Sequence, residues 1–114
     1  MKKLEIIIRP EKLETLKEIL NEFTVGGMTV MSVMGCGNQK GDANYTIKGL
    51  QVRNINLIPK ILAIVVVNDN DVETILGAIY EKIPSGHVGD GKVFITTIDD
   101  TMRIRTGERG NKAL

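Results

Sequence analysis

The sequence predicts an α+β fold of the ferredoxin-like type, a double βαβ unit with a four-stranded antiparallel sheet. Short β-branched runs and amphipathic stretches follow one another as strand, helix, strand, twice over. The length, 114 residues, supplies one hydrophobic core and not two, so residues 1–114 are expected to form a single domain. The long apolar runs of the strands call for cover on both sheet faces, and helices can cover only one.

Residues 4–9, LEIIIR, are short and β-branched, which makes a first strand. Pro10 suits the first helical position and Glu11 the positive end of a helix. Leu13, Leu16, Leu20 and Phe23 recur at helical spacing, with Lys12, Lys17 and Glu22 off that stripe. Residues 25–28, VGGM, are expected to stop the helix, the glycines serving as cap and turn. Residues 28–35 read as a second strand. Residues 35–57, rich in glycine and asparagine, show no sustained period, and so long an irregular segment in a compact domain marks either elements the pattern misses or a functional element. Residues 61–67, ILAIVVV, form a strand buried on both faces. Residues 68–71, NDND, are expected to cap a helix whose stripe is Val72, Ile75, Leu76, Ile79 and Ile83. Residues 92–98 make the next strand, residues 102–106 a short fifth one, and the rest a polar tail. The sheet face away from the helices, assigned Ile6, Ile8 or their alternates together with Val65 and Val67, is left for other copies of the chain, which implies a homo-oligomer.

Composition narrows the function classes. Lys and Arg total 15 against 14 Asp and Glu, a balance that offers nucleic acid no basic footprint. Two Phe, two Tyr and no Trp supply no stacking platform for single strands. The apolar runs are too short to span a bilayer, and Pro10 interrupts any signal-peptide pattern behind MKKLEIII. One Cys and one His provide neither a disulfide framework nor a structural zinc site, which suits a reducing, cytoplasmic setting. Cys36 is expected to be a buried, inert thiol and His87 to be solvated.

Residues 85–94, SGHVGDGKVF, crowd Gly86, Gly89, Gly91, Asp90 and Lys92 in front of a strand. Successive main-chain N–H groups in such a turn form a concavity of positive potential, and a neighbouring lysine completes an anion site. No GK[ST] opens a helix here, so this is not a Walker motif. Farther on, Arg103 and Arg105 are expected on one face of the short strand with Ile104 on the other, a paired-guanidinium complement to phosphate.

Six segments occur in order along the chain: RPEKLE at 9–14, GGMTV at 26–30, GCGNQKG at 35–41, LIPKI at 57–61, GDGKVF at 89–94 and RIRTGE at 103–108. With them the chain resembles the PII signal-transduction family, small trimeric regulators, not enzymes, that read nucleotides and 2-oxoglutarate. The resemblance implies a homotrimer with ATP or ADP held in clefts between subunits. Its nucleotide site would comprise Thr29 at the adenine edge, Gly35, Gly37, Asn38, Gln39, Val88, Gly89, Asp90, Gly91 and Lys92. Arg103 and Arg105 would join from the adjacent subunit. It further implies 2-oxoglutarate at Gln39, Lys40, Gly41 and Lys60, with Gln39 a ligand of a bridging Mg²⁺. Residues 36–57 correspond to the family's T-loop, residues 84–92 to its glycine-rich loop and residues 103–114 to its C-terminal segment. Tyr45, Ile47, Leu50, Val52 and Arg53 would dock on a protein target, a transporter or a nitrogen-metabolism enzyme, which would recruit the regulator from the cytoplasm to a membrane.

The chain departs from that pattern in its loop. Asn38 stands where many members carry arginine, and Leu50 to Asn54 offer no counterpart of the modifiable tyrosine, so nucleotidylation is not expected. These departures suit a variant reading, a PII-like regulator of a different transport system with no 2-oxoglutarate response. An acylphosphatase-type enzyme, with Arg9 and Asn38 or Asn44 in the leading roles, is disfavoured because the junction RPEKLE carries no glycine. A plain assembly module that binds no nucleotide is the third alternative.

Overall fold

The structure is a computed structural model that describes residues 1–37, 44–47, 50–53 and 57–114, the two middle stretches in backbone only. Strand β1 (Lys2–Ile8) leads through a 3-10 turn at Pro10–Lys12 into helix α1 (Leu13–Leu20). Strand β2 (Val25–Gly35) follows, then the short strands β3 (Asn44–Ile47) and β4 (Leu50–Arg53), and β5 (Ile58–Val67). A second 3-10 turn, Asp69–Asp71, opens helix α2 (Val72–Lys82), and β6 (Lys92–Thr97) completes the sheet.

The main sheet runs β2-β5-β1-β6 with antiparallel neighbours, the expected double βαβ topology. Register decides which side chains face the helices. Leu4 lies opposite Val65 and Ile95, and Glu5 opposite Ile64 and Phe94, so alternate residues of every strand share a face. Leu4, Ile6, Ile8, Ala63, Val65 and Val67 are buried beneath the helices against Leu16, Ile19, Leu20, Ile75, Ile79 and Ile83. Each Leu, Ile or Val side chain so taken out of water contributes roughly 1.5–3 kcal/mol.

The bare face is therefore made of the alternates. Ile7, Leu62, Ile64 and Val66 remain half-buried on it, beside Met31 and Phe94, which are 42% and 50% exposed. Val65 and Val67, expected there, are core residues, because an unbroken β-branched run carries no signal of which alternate points which way.

Four local expectations are corrected. Gly26 and Gly27 do not end α1, which stops at Leu20; they lie inside β2, where Gly27 takes φ 85° and the register with β5 shifts between Val25 and Met28. A bulge needs a residue free to adopt that conformation, and glycine does so at no steric cost. Asn68 to Asp71 supply no side-chain cap to α2; the turn closes through Asp71 N–H donating to Asn68 O at 3.0 Å, while the Asp69 carboxylate pairs with the Met1 amine at 3.0 Å. Residues 102–106 are not a strand. Met102 makes one bridge to Arg109, and Gly107 N–H donates to Arg103 O at 2.8 Å, closing a turn instead. The segment expected to be irregular contains β3 and β4, paired Tyr45 with Val52 and Ile47 with Leu50.

Candidate functional site

The link from α2 to β6 must return the chain to the edge of β1. Gly91 makes this possible: its φ is 111°, and a Cβ there would fall 1.7 Å from the Ile7 carbonyl oxygen. Gly89, at φ 97°, leaves space for two cations, since a Cβ on it would lie 3.2 Å from Arg9 Nη2 and 3.4 Å from Lys60 Nζ.

Those cations grip the turn by its carbonyls. Arg9 Nη2 donates to Val88 O at 2.6 Å and Lys60 Nζ donates to Gly89 O. Lys60 is the buried charged residue among those described, 8% exposed, and Gly35 across the ladder accommodates its stem, for a Cβ there would lie 3.3 Å from Lys60 Cγ. The missing side chain at Gly35 thus makes room for a lysine.

Asp90 holds the turn from within. Its carboxylate accepts from Ser85 N at 3.0 Å, Gly86 N at 3.1 Å, Ser85 Oγ and Arg9 Nε at 3.4 Å. The Ser85 hydroxyl foremost, then the Ser85 and Gly86 amides and Arg9, outweigh desolvation and hold its pKa at about 2. With carbonyls 88 and 89 drawn to Arg9 and Lys60, the N–H groups of Val88, Gly89, Asp90 and Gly91 have no hydrogen-bond acceptor among the described residues. Consecutive unpaired donors beside the exposed Lys92 can hold an anion.

The arginine pair is arranged differently from expectation. Arg103 Nη1 meets Glu108 Oε1 at 3.2 Å, while its Nη2 donates to Lys112 O at 3.3 Å and Leu114 O at 2.9 Å. Arg105 is exposed and makes no hydrogen bond or ion pair among the described residues; Ile104 is 91% exposed. Nothing described joins residues 103–105 to residues 85–92 by a hydrogen bond or ion pair within the protomer. Thr29 is exposed on β2 opposite Ile64, on the bare sheet face, and a Cβ on Gly37 would meet nothing within 4 Å among the described residues.

Asn38, Gln39, Lys40 and Gly41 lie outside the described residues. Tyr45 and Ile47 fall on β3, and Leu50, Val52 and Arg53 on β4. Cys36 is exposed, not buried, because the β2–β5 ladder ends at Gly35 paired with Ile58, one residue before it. His87 is exposed, as expected. Arg9 and Ser85 are the residues that sequence reasoning passed over at this site. The strand alternation Lys3, Glu5, Ile7, Arg9 was the available sign that Arg9 leaves β1 on the bare face beside Lys60. Among the described residues no group of three His, Cys, Asp or Glu could hold a metal, and no helix is long and apolar enough to cross a membrane.

The family model for nitrogen regulatory protein P-II matches residues 1–108. Nitrogen regulatory protein P-II 2 of Methanothermobacter thermautotrophicus is 46% identical over 114 residues, covering 100% of this chain and 97% of that one. Nitrogen regulatory protein P-II of Azospirillum brasilense is 40% identical over 114 residues, covering 100% of both chains. Among solved structures, Arabidopsis thaliana PII bound to citrate superposes with a TM-score of 0.77 at 31% identity, covering 99% of this chain and 91% of that one. On sequence and fold together, the chain belongs to the nitrogen regulatory protein P-II family, signal-transduction regulators and not enzymes.

Proposed function

We propose that the chain senses adenine nucleotide, ATP or ADP, and reports it to a protein target. In this reading residues 1–114 are one domain of a homotrimer whose phosphate cradle is the turn of residues 88–91 with Lys92. Arg103 and Arg105 enter from the neighbouring subunit, with Thr29, Gly35, Gly37, Asn38 and Gln39 completing the site. The observation that carries the reading is the run of N–H groups at residues 88–91 without an acceptor among the described residues, beside an exposed lysine. The absence of any bond between that turn and residues 103–105 within one protomer supports a cross-subunit arrangement.

2-Oxoglutarate fits beside the cradle. Lys60 and Arg9 bring two cations to Gly89, a charge match for a dicarboxylate that would exchange with the carbonyls they now hold. The plant relative's citrate, a polycarboxylate, is consistent with that chemistry. Lys40, Gly41 and Gln39 would complete this site. Mg²⁺, lacking a carboxylate cluster among the described residues, would take its oxygens mainly from the ligands and from Gln39.

Output would pass through residues 36–57, with Tyr45, Ile47, Leu50, Val52 and Arg53 contacting a transporter or a nitrogen-metabolism enzyme. Cytoplasmic regulator would then reach a membrane only on its target. Only the difference in effector affinity between two loop states can drive the switch. Calorimetry with ADP, ATP, and Mg²⁺-ATP plus 2-oxoglutarate tests the proposal: heat is expected with nucleotide, and with oxoglutarate only when Mg²⁺-ATP is present. Lys92→Ala and Arg103→Ala should each weaken nucleotide binding and leave the trimer intact. Unchanged binding in either variant refutes this cradle, and a flat oxoglutarate titration favours the variant regulator.

A further inference from the structure

The two arginines of the 103–105 segment are in unlike states. Arg105 projects with no partner among the described residues, whereas Arg103 is surrounded by acceptors: the Glu108 carboxylate at 3.2 Å and the main-chain oxygens of Lys112 and Leu114 at 3.3 and 2.9 Å. The turn builds this shell. Arg103 N–H donates to Glu108 O at 2.9 Å, Gly107 adopts φ 73°, and Glu108 N–H donates to Thr106 Oγ1 at 3.3 Å. Arg109, the next residue along the chain, is engaged elsewhere: its Nε donates to Asp100 Oδ2 at 2.7 Å, and Asp100 also accepts from Thr101 N and Gly110 N. Glu108 is thereby left to Arg103.

We propose that Glu108 sets the affinity of the nucleotide site by competing with phosphate oxygens for Arg103. This rests on the nucleotide reading above. Three of the five guanidinium N–H donors, on Nη1 and Nη2, are held by Glu108, Lys112 and Leu114, so a phosphate that takes the Nη1/Nη2 fork must displace these acceptors. Arg105 meets an incoming anion directly, and Arg103 joins only after giving up its own carboxylate. Nucleotide binding therefore loosens residues 108–114. Leu114 also packs on Gly26 at the β2 bulge, where a Cβ would lie 3.1 Å from Leu114 Cδ2, so the loosening reaches the start of that strand.

The test is calorimetry of the trimer with ADP for the wild type, Glu108→Gln and Glu81→Gln, the last an equal charge change on an exposed site of α2. The pair is partly exposed, so Glu108→Gln is expected to bind ADP about two- to fivefold more tightly, the span of such ion pairs, with Glu81→Gln unchanged. Hydrogen exchange of the wild type gives a readout independent of any substitution: ADP is expected to speed exchange of the Gly110 and Leu114 amides. Glu108→Gln binding no better than wild type, or added protection of those amides, overturns the competition while leaving the nucleotide site in place. A wild type that binds no ADP refutes the site itself and the competition with it.

Discussion

Gly91 crosses the end of β1 at backbone contact, with room for no atom between its Cα hydrogens and the Ile7 carbonyl oxygen: a Cβ there would sit 1.7 Å away. That neighbour is backbone of a central strand and cannot swing aside. Gly91→Ala is therefore expected to cost about 3 kcal/mol or more, combining a strained φ with a clash. Gly107→Ala, also at positive φ but in open space, should cost about 1–2 kcal/mol. Urea denaturation of the two variants in parallel checks the contrast, and equal losses would contradict it.

Asp90 makes the glycine-rich turn sensitive to acid. Its pKa falls from 3.8 to about 2 on folding, so its contribution is complete above pH 4 and disappears as the pH drops through about 2. Asp69 and Asp100 are also lowered, by the Met1 amine and by Arg109 respectively, so a global acid melt sums all three. A local probe is required. Protection of the Ser85 and Gly86 amides, both donors to Asp90, measured against their intrinsic exchange rates, is expected to fall between pH 4 and 2 in the wild type and to lose that step in Asp90→Asn.

Much of this architecture was legible because it repeats at short range. The stripe Val72, Ile75, Ile79, Ile83 reports a period that burial then uses, whereas residues 4–8 mark a strand without showing which alternates face the core. What failed was whatever depends on a distant partner. Gly26 and Gly27 look like a helix stop until β5 is present to make them a bulge within a ladder. Residues 102–106 alternate like a strand, but Arg103 finds Glu108 and Leu114 instead of a neighbouring strand. At the site, GDGK announced the turn, while the grip of Arg9 on Val88 spans 79 residues and leaves no trace in local spacing.

Lys60 has two separable duties. Its ammonium supports the turn through Gly89 O, and under the proposed function it also neutralises a carboxylate. Lys60→Gln keeps a donor for the carbonyl and removes the charge, while Lys60→Met removes both. The glutamine variant is expected to bind ADP as the wild type does and to give no 2-oxoglutarate heat with Mg²⁺-ATP. The methionine variant should also lose turn order, since a half-buried carbonyl left without its donor costs up to about 1–3 kcal/mol. Calorimetry and Ser85 amide exchange on both variants separate the duties; an oxoglutarate signal surviving in Lys60→Gln would remove Lys60 from that site.

The bare sheet face makes the last prediction. Leu62 lies opposite Ile7 on one side and Met31 on the other, away from the helix-covered core. A glutamate in place of Leu62 would still reach water in a lone protomer, so helix content should be retained. Between packed sheets the same carboxylate would be desolvated without a partner, and association should fail. Light scattering is expected to show Leu62→Glu at the mass of one protomer, with circular dichroism unchanged. ADP binding should fall with assembly, because the proposed site draws Arg103 and Arg105 from a second subunit. A protomer-sized variant that binds ADP at wild-type strength would place those arginines outside the site.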